Sequence, residues 1–293
     1  METASAANRL GPIRLCTVIT RDLNHAGDAY ETVMGMTRSA EFSLDTRTAA
    51  ALGMPAASGA SACLLGNAAG RPWLLQVEMC DAPDRDALGS YGWMAQEILV
   101  EDVDALASTI EGTPFTLLRP PRDLDVSNTI RACQVRGPDG EILYLTQVNG
   151  EVEGSELPQG AQGVDHLFIA VLSAPDREAC LRHYEGLAGS QGTCFDTRIS
   201  VVNQHRGWDL EQRHPVATVQ LAGKTLIEID ELSDTAPAAQ TPSAGTWCIA
   251  FITATRAPDN AIELTEGPLA GHRASAHVGT AGERFTLLYT SNA

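Results

Sequence analysis

The sequence predicts an α+β protein made of two similar halves in tandem. A turn followed by an apolar strand occurs near the midpoint, at 137–146, and again near the C-terminal end, at 282–290. Such a turn opening onto an apolar run is typical of the last strand of a hairpin. Between the halves, residues 149–163 are polar and rich in Gly, which is typical of a linker. These observations predict two domains, 1–150 and 164–293, each closed by the same kind of strand.

The first half contains a strand–helix–strand–strand–strand module twice. In the first module, β-branched residues predict a strand at 13–20, and Asp22 is a candidate N-cap for a helix that Gly35 ends. The further strands of this module are predicted at 38–44, 60–66 and 72–80, with a short helix at 46–54. The second module is predicted to have a strand at 93–100, a helix at 101–110, and strands near 115–118, 129–136 and 141–148.

The second half repeats this order. Its first strand is predicted at 166–172 and its helix at 175–187, where Pro175 suits a first helical turn and Gly189 an end. Strands at 193–202, 215–221 and 224–230 complete the third module. The fourth module is predicted to have a strand at 247–253, a short helix near 258–264 and the closing strand at 285–290.

The composition excludes several classes of partner. The 293 residues carry a formal net charge of −17, which disfavours binding to nucleic acid and to anionic membranes. The first residues lack the regions of a secretion signal, and no apolar run approaches the roughly 20 residues that span a bilayer. The seven cysteines are never at C-x-x-C spacing, which favours reduced thiols in a cytoplasm. We therefore expect a cytoplasmic protein that binds a small organic molecule.

The order of the four modules, with the segments 93–104, 137–147 and 165–172, resembles the vicinal oxygen chelate superfamily. That superfamily includes glyoxalase I, the bleomycin-resistance proteins and the type I extradiol ring-cleaving dioxygenases. The resemblance covers about 12–148 and 164–290. It implies that each domain pairs two modules into a half-open, barrel-like sheet around one divalent metal, with ligands on the first and last strand of each module.

Carried over to this chain, the resemblance gives the second domain two residues of the usual ligand types, His166 and Glu228. Cys248 and Thr286 stand at the other two places, and a Cys thiolate can also bind iron or zinc. The first domain has no ligand-type side chain at the corresponding places, which are Leu15, Gln76, Ala95 and Tyr144. The resemblance therefore implies a candidate metal site of His166, Glu228 and Cys248 in the second domain, and no active site in the first.

Strand alternation supports Glu228 independently. Because Ile227 and Ile229 should face the helices, Glu228 should face into the barrel, where a lone carboxylate needs a partner. Catalytic metals usually have three protein ligands. With only His166 and Glu228 of the expected types, we expect no tightly bound metal, with iron, manganese or zinc as the alternative.

His214 and His277 are candidate proton carriers, because imidazole titrates near neutral pH. His214 leads into a strand and His277 lies just before the closing strand. The plainer alternative for every one of these candidates is packing or a solvated loop.

We predict an enzyme that acts on a small aromatic or oxygenated compound by dioxygenase-like or lyase/isomerase chemistry, with or without a metal. The alternative is a binding protein that sequesters a compound, as bleomycin-resistance proteins do. That function usually uses a cleft between the subunits of a homodimer, so a homo-oligomer is also a possibility.

Overall fold

A computed structural model describes residues 9–124, 127–152, 154–160 and 162–290. Modules 1 and 2 form the first half. Module 1 consists of β1 (Leu10–Thr20), α1 (Leu23–Met34), β2 (Thr37–Ser43), α2 (Thr46–Ala51), a 3-10 helix (Pro55–Ala57), β3 (Ser61–Gly66) and β4 (Pro72–Glu78). Module 2 consists of β5 (Gly92–Val100), α3 (Val103–Ser108), β6 (Thr116–Leu124), β7 (Ser127–Arg136) and β8 (Ile142–Val148).

Modules 3 and 4 form the second half. Module 3 consists of β9 (Val164–Ala174), α4 (Arg177–Ala188), β10 (Thr193–Arg198), α5 (Ser200–Arg206), β11 (Arg213–Gln220), a 3-10 turn (Ala222–Lys224) and β12 (Leu226–Glu231). Module 4 consists of β13 (Gly245–Thr253), β14 (Ile262–Glu263), a 3-10 helix (Gly267–Leu269), β15 (Arg273–Val278) and β16 (Arg284–Tyr289). No helix in the described part of the chain is long and apolar enough to cross a membrane.

The helix ends follow the predicted signals. Asp22, Asp102 and Asp176 each accept a hydrogen bond from the backbone N–H three residues on, and so cap α1, α3 and α4. Gly35 and Gly189 take the left-handed conformation that ends α1 and α4.

Two elements differ from the prediction. The strand predicted at 193–202 ends earlier, as β10, and the last residues of that segment begin helix α5. The buried Val201 and Val202 of α5 pack into the core. The helix predicted near 258–264 is absent, and short strand β14 lies there.

The modules pair into two eight-stranded sheets. Sheet I joins modules 1 and 4 in the order β14-β15-β16-β13-β1-β4-β3-β2, and sheet II joins modules 2 and 3 in the order β10-β11-β12-β9-β5-β8-β7-β6. In each sheet the two first strands are antiparallel neighbours, β1 with β13 and β5 with β9. The predicted α+β class, with paired modules forming half-open sheets, is confirmed. The hydrogen-bonded sheets do not follow the predicted division at 150–164, because each sheet takes one module from each half.

A shared core lies between the two sheets. It includes Trp93 of sheet II and Phe251 of sheet I, whose ring centroids are 6.1 Å apart, and helices α1 and α4 contribute to it. The repeated turns predicted from sequence are anchored in it by two equivalent pairs. Tyr30 on α1 donates to Glu141 Oε1 at 2.7 Å, and Tyr184 on α4 donates to Glu283 Oε1 at 2.6 Å.

Candidate functional site

Each sheet has one face toward the shared core and one face that curls around its own interior. The interior face of sheet I is filled by its own chain. Ala51, Leu52 and Met54, in and after α2, pack against Leu75 and Cys248 in a single buried cluster. Thr286 Oγ1 donates to the carbonyl of Ala51 at 2.6 Å, which fixes α2 inside the sheet.

The interior face of sheet II holds an open cleft. Arg122 on β6 and Thr197 on β10 line the same cavity of about 120 Å³, although these strands are at opposite edges of the sheet. The sheet must therefore curl into a half-barrel. A neighbouring cavity of about 220 Å³ shares Glu97, Phe195 and Glu228 with the first and is otherwise mainly apolar. A small organic molecule fits such a cleft.

Glu97 lies on β5 at the floor of this cleft. The residue is 7% exposed, and Oε1 of its carboxyl group accepts a hydrogen bond from Thr146 Oγ1 at 2.8 Å. Burial and the neighbouring charge of Glu228 raise its pKa to about 8. Glu97 is therefore mostly a neutral carboxylic acid near neutral pH.

Glu228 and Asp230 lie on β12, on the same face as each other. Ile227 and Ile229 pack into the shared core, as the alternation predicts, and Glu228 lines the cavity. Burial raises the pKa of Glu228 to about 7. Burial, with the charges of Glu228 and Glu97, raises the pKa of Asp230 well above its ordinary value. Three acids thus lie close together, of which Glu97 and Glu228 line the cavity.

Strand register identifies the equivalent positions of the two sheets. Ile169 on β9 pairs with Glu97, and Glu97 pairs with Tyr144 on β8. In sheet I, Leu15 pairs with Ala250, and Ala250 pairs with Thr286. By the same register Leu75 and Val77 take the places of Glu228 and Asp230. Each acid of sheet II therefore has an apolar counterpart in sheet I, which marks sheet II as the candidate site.

The structure corrects the predicted joint site of His166, Glu228 and Cys248. His166 precedes Ile169, the β9 residue in register with Glu97, by three positions. Its Nδ1 lies 3.3 Å from Oδ1 of Asp165, near the start of β9. Cys248 lies in sheet I, because β13 pairs with β1 and not with β9. The predicted joint site required modules 3 and 4 to form one sheet, but module 3 lies in sheet II and module 4 in sheet I.

The state of Cys248 also disfavours a thiolate. It is fully buried, its Sγ lies 3.4 Å from Thr286 Oγ1, and burial raises its pKa to about 12. A neutral buried thiol is a packing group.

The two candidate proton carriers are also separated. His277 lies on β15 of sheet I, stacked on Phe285 with a centroid distance of 5.1 Å and bonded to Ser275 Oγ at 2.7 Å. His214 does lie in sheet II, where its Nε2 is 2.7 Å from Asn203 Oδ1 of α5. Burial and the charge of Arg206 lower its pKa, so it is a neutral structural partner of α5 outside the cavity lining.

Helix α5 covers one side of the cleft. Ser200 and Val201 line the cavity, and Arg206 fastens the other end of the helix by donating to the carbonyls of Leu88 and Asp234. Arg119 on β6 donates to Gln204 Oε1 at 2.7 Å and so links α5 to module 2.

The donors in the cleft do not fit the metal that the resemblance implies. The strands that would carry its ligands present Glu97, Tyr144, Ile169 and Glu228. Ile169 offers no donor atom, and the pKa of the buried Tyr144 phenol is raised well above its ordinary value. Among the described residues, no three His, Cys, Asp or Glu side chains are grouped so that they could hold a metal ion. Two carboxylates fall short of the three ligands that catalytic metals usually have.

The sequence analysis did not identify Glu97. It assigned Tyr144 to a ligand position without a ligand-type side chain, in the half that was expected to have no active site. Glu97 stands two residues after Ala95, the position that the resemblance indicated, and the β5–β9 register shifts on both sides of this segment. A carboxylate inside an otherwise buried apolar strand was the signal that could have found it.

The sequence matches no protein-family model and no curated protein. The structure is similar to glyoxalase I from Zea mays, with 14% identity, a TM-score of 0.63, and coverage of 94% of this chain and 92% of that chain. It is also similar to a putative dioxygenase from Bacillus subtilis, with 12% identity, a TM-score of 0.63, and coverage of 98% of this chain and 87% of that chain. Identities this low concern the fold and not the reaction. The chain therefore has the fold of the vicinal oxygen chelate superfamily, as the sequence resemblance predicted.

Proposed function

We propose that this protein is an isomerase or lyase that moves protons on a small oxygenated organic compound in the cleft of sheet II. The observation that carries the proposal is the pair Glu228 and Glu97, which line one cavity and have pKa values raised to about 7 and about 8. Efficient acid–base catalysts have pKa values near the working pH.

The two carboxyls suit different roles. Glu228 has the lower pKa of the two, so its carboxylate is the base that takes a proton from the substrate. Glu97 keeps its proton to a higher pH and serves as the acid partner. Separating the pKa values of two acids by their environments is a common way to assign these roles.

Ring-cleaving dioxygenase chemistry has less support. It would require a metal, and the described residues of the cleft offer too few donors to hold one well. The proton-transfer proposal uses only groups that the chain itself supplies.

Sequestration of a compound is the second candidate. The neighbouring cavity, lined by Leu124, Ile130, Phe195 and Leu226, suits the apolar body of a bound molecule. Such a protein would bind its ligand without changing it.

The test is hydrogen–deuterium exchange, followed by NMR, in a panel of small ketones, hydroxy acids and aromatic carbonyl compounds in D2O. We expect exchange at carbon for at least one compound, and a loss of about a hundredfold or more in Glu228→Gln, the range for removing a catalytic base. Glu263→Gln, an exposed carboxylate on β14 of sheet I, is the matched control and should leave the rate unchanged.

A chelator arm tests the role of metal. Exchange should continue after treatment with EDTA. Loss of exchange that Mn(II) restores would overturn the metal-independent mechanism, and binding without exchange for the whole panel would favour sequestration.

A further inference from the structure

The hydroxyl of Tyr144 is the unusual polar group of the cleft. The chain has five tyrosines. The hydroxyls of the other four are hydrogen-bonded, to Glu141, Leu232, Glu283 and Ser275. The Tyr144 side chain is 8% exposed and lines the cavity, and its hydroxyl has no hydrogen-bond partner among the described residues.

An unpartnered buried hydroxyl destabilises a fold, because it loses its hydrogen bonds to water and gains none in return. Phenylalanine would fill the same place without that penalty. A phenol in the wall of a cavity therefore indicates a hydrogen bond that forms when a ligand is present.

Glu97 stands directly beside Tyr144. The two are register partners on the parallel strands β5 and β8, and both line the cavity. Thr146 holds Oε1 of Glu97, and no described residue bonds Oε2. Because its raised pKa keeps Glu97 protonated near neutral pH, its free oxygen can carry an O–H donor. The raised pKa of Tyr144 likewise keeps the phenol protonated.

We propose that the phenol of Tyr144 and the carboxylic acid of Glu97 together form an oxyanion-binding pair for the carbonyl oxygen of the substrate. This inference rests on the proposed function and deepens it by naming a substrate class: ketones, aldehydes or thioesters with an acidic C–H bond beside the carbonyl. Two preorganised donors that meet the same oxygen stabilise a developing enolate strongly.

The step balances with the groups on the cleft wall. Glu228 carboxylate takes the proton from the carbon beside the carbonyl, and the C–H electron pair moves to form a C=C bond while the carbonyl π pair moves onto oxygen. The enolate oxygen then accepts hydrogen bonds from Tyr144 and Glu97. In an isomerase the substrate carries a C=C bond β,γ to the carbonyl, and Glu228 returns the proton to the γ carbon of the dienolate while the carbonyl re-forms. In a lyase the enolate electron pair re-forms the carbonyl and expels a leaving group from the β carbon, and that group departs with the proton of Glu228.

The interior face of sheet I lacks this pair. Its equivalents of Glu97 and Tyr144 are Ala250 and Thr286, and Thr286 is already bonded to the carbonyl of Ala51. The two donors therefore occur together only in the cleft that also has the candidate base.

The test uses 4-nitrophenol as a probe of the oxyanion site, because its visible absorbance distinguishes phenol from phenolate. We expect the wild-type protein to bind it as the phenolate, with its proton on Glu228. Tyr144→Phe and Glu97→Ala should each weaken this binding about tenfold or more, which corresponds to the loss of one good hydrogen bond to a charged group. Glu97→Gln, which keeps an N–H donor, should weaken it less than Glu97→Ala.

Tyr289→Phe is the matched control, since Tyr289 is a buried tyrosine on the last strand of sheet I. It should bind the probe like the wild type, and circular dichroism should show that every variant is folded. Unchanged binding in Tyr144→Phe, or no binding to the wild type, would overturn the oxyanion pair. In that case, deuterium exchange that depends on Glu228 would still support the proposed function. Conversely, probe binding that depends on Tyr144, without deuterium exchange in any compound, would refute the proposed function and support the oxyanion pair.

Discussion

The buried acids in and beside the cleft lower the stability of the folded protein. Glu97 and Asp230 are buried, Glu228 beside them is half-buried, and burial with the charges of Glu228 and Glu97 raises the pKa of Asp230 well above its ordinary value. Their places in sheet I are taken by Ala250, Leu75 and Val77. Residues that weaken a fold and persist in a cavity are typical of functional sites.

Replacing Asp230 by Val, the residue at the equivalent place in sheet I, should stabilise the protein. We expect the free energy of unfolding to rise by about 1 to 3 kcal/mol at neutral pH, because a fully buried polar carboxyl is replaced by an apolar side chain. Chemical denaturation followed by circular dichroism measures this change. A variant less stable than the wild type at neutral pH would contradict the reasoning.

The pH dependence of that stability has a definite sign. The acids have higher pKa values in the folded protein than their ordinary values, so the folded state holds protons that the unfolded state releases. The stability they contribute is complete below about pH 4.5 and is lost as the pH rises through about 7 for Glu228 and about 8 for Glu97. The Asp230→Val curve should fall less steeply over this range than the wild-type curve.

At the residue scale the sequence predicted the orientation of Glu228 but did not identify Glu97. The orientation of Glu228 followed from Ile227 and Ile229, because β12 alternates between core and cleft. Glu97 could not be placed in this way, since every residue of β5 is buried and the strand shows no alternation. A register shift beside it also displaced the expected position from Ala95 to Glu97.

Among the elements, α5 decides how open the cleft is. The helix has seven residues, ends at Gly207 in the left-handed conformation, and is held by the contacts of Arg206. Arg206 also lies 5.1 Å from the ring centroid of Trp208, whose ring packs near His214. The Arg206 side chain thus connects α5 to the loops that contain Leu88, Asp234 and Trp208.

Arg206→Ala should loosen α5 without unfolding the sheets. Hydrogen exchange measured by mass spectrometry should become faster at 200–206, while strands β5 and β9 stay protected. Arg213→Ala, which removes an exposed side chain near the start of β11, is the control and should leave exchange in α5 unchanged. Equal exchange at 200–206 in Arg206→Ala and the wild type would show that other contacts hold the helix.

The elements that the sequence mispredicted share a physical cause. Val201 and Val202 favour a strand by their intrinsic preference, but they pack as one face of α5 over the cleft. The reverse occurs at 258–264, where the short pairing of β14 with β15 replaces the expected helix. Tertiary packing overrode local preference in both segments.

For the whole molecule, the decisive feature is the pairing of modules across the halves. The first strands of all four modules are largely buried, so their sequences suit either neighbour. The repeat and the α+β class could therefore be predicted, but the choice of partners could not. That choice places Tyr144 and Glu228, which come from different halves, in one cleft.

Separately produced fragments test this arrangement. Residues 1–152 and 153–293, produced together, should form a stable one-to-one complex in size-exclusion chromatography, because β1–β13 and β5–β9 join them. Each fragment alone should fail to give a folded monomer, since its first strands would be unpaired. Two independently folded monomers would instead support the tandem division predicted from the sequence.

The crossed pairing also affects how the protein is made. Modules 2 and 3 are adjacent in the chain, so sheet II can assemble as soon as both have left the ribosome. Module 1 is synthesised before the other modules but must wait for β13 of module 4, whose last residue, Thr253, follows Glu78 at the end of β4 by about 175 residues. At typical rates of translation this delay lasts on the order of tens of seconds. Throughout that time β1 has no β13 to pair with, so module 1 is exposed to misfolding for longer than modules 2 and 3, whose partners are adjacent in the chain.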